Sequence, residues 1–181
     1  MSTPADDTLD WLQRIVVDLN LCPFAAPALR ADAVDIVVSD AVGADALLRD
    51  TLHELNRLVA VPATQTDTVL IVFSHDLQQF DDYVQFAALV DDVIDALALR
   101  GVLQLATFHP HYQFEGAARA DRDNFTNRAP WPTLHVLREA SLAEAIDAHA
   151  DTNAIPARNR QLLTAMSDAQ FERLFGRRNP S

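Results

Sequence analysis

Lysine is missing from this chain: all 14 basic residues are arginine. Without a side-chain primary amine no Schiff base can form and no P-loop lysine is available. That excludes standard pyridoxal phosphate enzymes, class I aldolases and P-loop nucleotide hydrolases. Glycine is scarce too. The four, at 43, 101, 116 and 176, stand too far apart to write a GxGxxG loop or a GxSxG nucleophile elbow, so a Rossmann dinucleotide site is excluded as well. The single cysteine, Cys22, leaves no intrachain disulfide and no CxxC knuckle, and a lone thiol fits a reducing compartment.

Long apolar runs are also lacking. "VLIVF" and "FAALV" fall far short of the roughly 20 residues that cross a bilayer. The opening "MSTPADDTLD" is acidic where a secretory signal would be basic. The expected setting is the cytoplasm, with no membrane partner. A net charge of −12 repels phosphate backbones, so nucleic acid is not an expected partner, whereas a small anionic molecule is. Oligomeric state is not legible.

What is present is globular: 49% apolar and 22% charged residues over 181 positions, enough for one domain with a real core, 1–181. "TPADDTLDWLQRIVVDLN" combines a Thr3 cap, Pro4 and first-turn acids with Leu9, Leu12, Ile15, Val16 and Leu19 at helical spacing. It predicts a first helix ending before Pro23. A β-branched run at 33–39 predicts a strand, and "GADALLRDTLHELNRLVA" a helix with a leucine face. "DTVLIVFS", apolar throughout, predicts a strand covered on both faces. The stripe from Phe80 to Leu97 predicts a third helix stopped by Gly101, and "VLQLATFH" a third strand. Alternating strands and helices argue for an α/β fold with a mainly parallel or mixed sheet of about four strands and a helical C-terminal end.

From His109 to Pro132 periodicity disappears, and aromatics, asparagines and arginines concentrate in a loop long enough to suggest function. "TLHVLRE" then resumes as a fourth strand. Ser141 with Glu144, and Ser167 with Gln170, write two capping boxes that open helices. "TNAIPARNR" reads as a turn between C-terminal helices, and residues 177–181 as a frayed tail.

Two stretches, "LNLCPFA" (19–25) and "TNRAPWPTLHVLRE" (126–139), together with the "FHP" that ends the third strand, resemble a bacterial family known as domain of unknown function 1415. The resemblance spans essentially the whole chain. It implies a bacterial, cytoplasmic protein and supplies no reaction. The positions matching its motifs are Cys22 and Pro23; Asn127, Arg128, Pro130, Pro132, His135 and Arg138; and His109 with Pro110.

His109 and His111, two apart in an extended segment, project the same way about 7 Å apart. They could share a divalent metal with a third ligand from Cys22, His135, Asp121 or Asp123, serve as proton-transfer groups, or only hydrogen-bond the loop. Cys22 could be a nucleophile with one of these histidines as base. Its place after a helix C-terminus and among Leu21, Pro23 and Phe24 favours a buried thiol instead. Arg128 and Arg138, with Asn124, Asn127 and Tyr112, could grip a carboxylate or phosphate, or pin the loop. His135 joins the site only if its ring turns toward His109. Trp11 reads as packing. The expected function is an enzyme acting on a small anionic metabolite where the third strand ends. The alternatives are a non-catalytic ligand-binding or regulatory module, and a structural or partner-binding protein.

Overall fold

The computed structural model describes residues 2–148 and 152–176. The tail at 177–181, expected to fray, lies outside the described residues.

Helix α1 (Pro4–Trp11) opens with a capping box. The Thr3 hydroxyl accepts from the Asp6 N–H at 3.1 Å, and the Asp6 carboxylate accepts from the Thr3 N–H at 3.0 Å. It runs into a π-helical turn, Leu12–Val17, which widens the spacing of the buried Leu12, Ile15 and Val16. The helix ends in a Schellman motif: Asn20 takes a left-handed φ of 52°, its N–H donates to Val17, and the Leu21 N–H reaches back to Val16. That is why asparagine precedes "LCPFA". The same ending recurs after the short helix α2 (Ala25–Arg30), at Asp32, and after α4 (Phe80–Ala96), at Ala98. Gly101, expected to stop α4, sits beyond the stop. With four glycines in the chain, left-handed caps fall to other residues.

Strands β1 (Val34–Ser39), β2 (Thr68–Phe73), β3 (Leu103–Phe108) and β4 (Thr133–Arg138) form one mixed sheet in the order β1-β2-β4-β3. β1 and β2 are parallel, and β4 runs antiparallel to both its neighbours, β2 and β3. β4 is thus inserted between strands that would otherwise be adjacent in a parallel sheet. β2 is buried along its whole length, as its unbroken apolar sequence predicts.

One face of the sheet packs Val69, Ile71, Phe73, Leu134 and Val136 under α3 (Ala44–Ala60) and α4. On the other face Leu70, Ile36 and Phe108 meet Trp11 and Ile15 of the N-terminal helix. There they also join Leu163 of α6 (Ile155–Ala165) and Phe175 of α7 (Asp168–Phe175). The Ser167–Gln170 capping box opens α7 as expected. Two C-terminal expectations fail. Helix α5 (Glu139–Asp147) starts at Glu139 instead of at Ser141, whose hydroxyl donates to Asp67. And "TNAIPARNR" is not a turn, because Pro156 takes a first-turn position of α6, where its missing N–H costs nothing.

Candidate functional site

Because Phe108 pairs with Thr133 across antiparallel strands, both ends of the 109–132 loop emerge at one edge of the sheet. Arg138, opposite Leu103, is at the other edge. The Tyr83 hydroxyl closes the loop's base, donating to the Thr133 carbonyl at 2.7 Å and accepting from the Phe108 N–H at 3.1 Å.

Within the loop nearly every expected site residue is committed to its own backbone. His109 is fully buried. Its Nδ1 accepts from the His111 N–H at 3.0 Å, so Nε2 carries the proton and donates to the Leu77 carbonyl at 3.0 Å. Packed against Phe80 and Tyr83, it is held neutral by burial, its pKa pushed down to about 4. The acceptor is itself unusual, since Leu77 holds a left-handed φ of 61°. His111 has its pKa lowered by partial burial and by Arg119 and Arg128.

Asn124, fully buried, accepts from the Phe114 N–H and donates to the Ala118 carbonyl. Asn127 donates to the Thr107 carbonyl at 3.0 Å. Arg128 donates to the carbonyls of Tyr112 and Arg119 and lies 4.1 Å over the Phe125 ring. The Tyr112 ring packs between Phe80 and Phe114. Asp121 caps the Ala118 N–H. The loop is folded on itself, and a small hollow of about 20 Å³ lies against it near Arg128, enough for one water.

The expected ligand sets do not assemble. Arg138 wraps the C-terminus of α3, donating to the carbonyls of Leu58, Val61 and Thr66, far along the sheet from His109. His135 alternates with Leu134 and Val136, so it faces away from α4 while His109 packs on it. Among the described residues no three His, Cys, Asp or Glu side chains converge on a possible metal position. His149 lies outside the described residues.

A different candidate site lies on the face His135 looks into. A cavity of about 650 Å³ opens between the sheet, α5 and the segment from Cys22 to Val34. It exists because small side chains line it: Ala25, Ala28, Ala31, Ala33 and Ala145 leave unfilled the space that larger residues would occupy. Its floor is Thr68, Leu70, Phe108, His135 and Leu137, and Trp11 stands at one side, edge-on to Phe108 at 5.2 Å. The Trp11 ring is 2% exposed, and its Nε1–H is buried without an acceptor among the described residues. It lines both the large cavity and the 20 Å³ hollow.

His135 is fixed by Thr68. The Thr68 hydroxyl proton goes to the Val136 carbonyl at 2.7 Å, so its oxygen accepts from His135 Nε2–H at 2.6 Å. Burial lowers the His135 pKa to about 4. Cys22 also lines the cavity. Burial raises its thiol pKa, outweighing the N–H groups of Phe24 and Ala25 and the charge of Arg158. Arg158 and Asn159 from α6 donate to the carbonyls of Asn20 and Leu21, clamping this segment in place.

The sequence signal for this site was divided. Parts of both stretches that carry the family resemblance line this cavity, Cys22 to Ala25 of the first and His135, Leu137 and Arg138 of the second. Neither Trp11 nor Thr68 carries a local mark of such a role.

The molecule is therefore an α/β protein on a mixed four-stranded sheet, with one sheet face hollowed beneath its helices. It belongs to the family described as protein of unknown function (DUF1415), whose model matches residues 3–173. No curated protein and no solved structure matches the chain.

Proposed function

We propose that the protein binds a small, largely apolar molecule in the 650 Å³ cavity, without chemistry. The observation that supports this is a cavity of ligand-binding size lined by Cys22 to Ala25 from one resemblance-carrying stretch and by His135, Leu137 and Arg138 from the other. An enzyme at the end of β3 is less well supported, because His109, Asn124, Asn127 and Arg128 are spent on backbone groups. Catalysis in the cavity itself lacks an activated nucleophile, since burial keeps Cys22 a thiol. The partner is accordingly a small molecule rather than nucleic acid or a membrane, in keeping with the net charge of −12. No helix among the described residues is long and apolar enough to cross a membrane.

The test is saturable binding of the neutral dye N-phenyl-1-naphthylamine, read by its fluorescence, in the wild type and in Ala28→Phe and Ala145→Phe. Both substitutions add bulk to the cavity wall. Stoichiometric binding that is lost in both variants, with folding intact, is the expected result. Absence of binding, or binding indifferent to both substitutions, would overturn the reading.

A further inference from the structure

His135 offers something the rest of the cavity floor does not. Thr68 has one hydroxyl proton, and the Val136 carbonyl takes it, so His135 Nε2 must be the protonated nitrogen. Nδ1 is then a lone-pair acceptor, and among the described residues no protein donor reaches it. A polar atom bordering a mainly apolar cavity is worth satisfying, and only a donor from the cavity side remains to do so.

The charges on the wall bear on what that donor belongs to. Among the described lining residues Arg138 is the one cation, and its guanidinium already faces three carbonyls, those of Leu58 and Val61 at the negative end of α3 and that of Thr66. Asp67 and Glu144 line the same cavity and are both acidic. An anionic head group would meet two carboxylates and one cation that is already engaged. A cationic head could pair with the acids but could not use the floor nitrogen without leaving its charge over an apolar surface.

We infer that the cavity takes a neutral ligand with a hydrocarbon body and a hydroxyl group, the hydroxyl donating to Nδ1 of His135. This rests on the cavity being a ligand site. At about 650 Å³ the cavity falls within the roughly 300 to 1,000 Å³ of ordinary small-molecule sites, enough for a medium-chain or cyclic alcohol.

The experiment uses the full chain and three probes of equal chain length, 1-decanol, decanoate and decylamine, each displacing N-phenyl-1-naphthylamine at pH 8. Decanol is expected to displace the dye at least tenfold better than either charged probe. In His135→Phe, which keeps an aromatic ring and removes the acceptor, decanol is expected to lose about tenfold in affinity. Because His135→Phe could disturb folding, a second readout stays with the wild type. In ¹⁵N-histidine spectra, His135 should show protonated Nε2 and bare Nδ1, with the Nδ1 resonance moving on addition of decanol.

Dye binding with decanoate or decylamine as the best competitor would overturn the hydroxyl inference and leave the cavity reading intact. So would an Nδ1 signal unmoved by decanol. No dye binding at all would bring down both.

Discussion

Replacing His109 with alanine separates a structural histidine from a functional one, and the size of the effect follows from its partners. The substitution leaves the Leu77 carbonyl and the His111 N–H unpaired, each costing about 1 to 2 kcal/mol. It also empties the space of a ring packed on Phe80 and Tyr83, for about 1 kcal/mol more. The expected loss is about 4 kcal/mol by urea unfolding at pH 8. Acid changes this number in a defined direction. The folded pKa near 4 lies below the ordinary 6.5, so the stability that neutral His109 contributes is complete above pH 6.5 and lost as pH falls toward 4. At pH 5 the unfolded chain holds the proton and the folded one does not, which costs the wild type about 2 kcal/mol that the alanine variant is spared. The gap between the two proteins should therefore shrink from about 4 kcal/mol at pH 8 to about 2 at pH 5. Equal stability at pH 8, or a gap that ignores pH, would refute the assignment of His109 as a buried neutral lock.

Three further outcomes test the same framework. Tyr83→Phe removes the hydroxyl that joins Phe108 to Thr133, and should cost about 2 kcal/mol in urea unfolding while leaving dye binding unchanged. Asn124→Ala should expose residues 113–121 to limited proteolysis, since its amide holds Phe114 and Ala118 in one turn; unchanged cleavage would mean the loop has other anchors. Ala98→Gly should raise stability by about 1 kcal/mol, because alanine at φ 54° carries a left-handed strain that glycine relieves, and thermal melting would show the rise.

Local chemistry made much of the fold legible. The Thr3 cap, the capping box at Ser167 and the apolar run of β2 all did what their sequences imply. The direction of β4 was not legible, because a six-residue strand with His135 at its centre carries no mark of which neighbours it will pair with. Whether the loop's polar residues face a ligand or their own backbone was not legible for a related reason. Histidine, arginine and asparagine are the residues of both catalytic loops and self-bonded loops, and what distinguishes them is whether backbone acceptors stand within reach. That depends on loop folding, which periodicity does not encode. The cavity was harder still, being defined by what its alanines fail to fill; Ala28 and Ala145 become neighbours of one space only after α5 returns to the sheet.

The position of β4 has a consequence for how the chain comes into being. β2 is the most apolar strand, and one of its two edges stays unpaired until residues 133–138 arrive, more than sixty positions later in the chain. During synthesis, β1, β2 and the helix between them can assemble early, but β3 must wait, because among the described residues its only strand neighbour is β4. The self-bonded loop at 109–132 then acts before any ligand does. By folding compactly on Asn124, Asn127 and Arg128, it brings Thr133 back beside Phe108 and shortens the search that closes the sheet. Until that closure the exposed edge of β2 is the segment through which a nascent chain would associate with its neighbours.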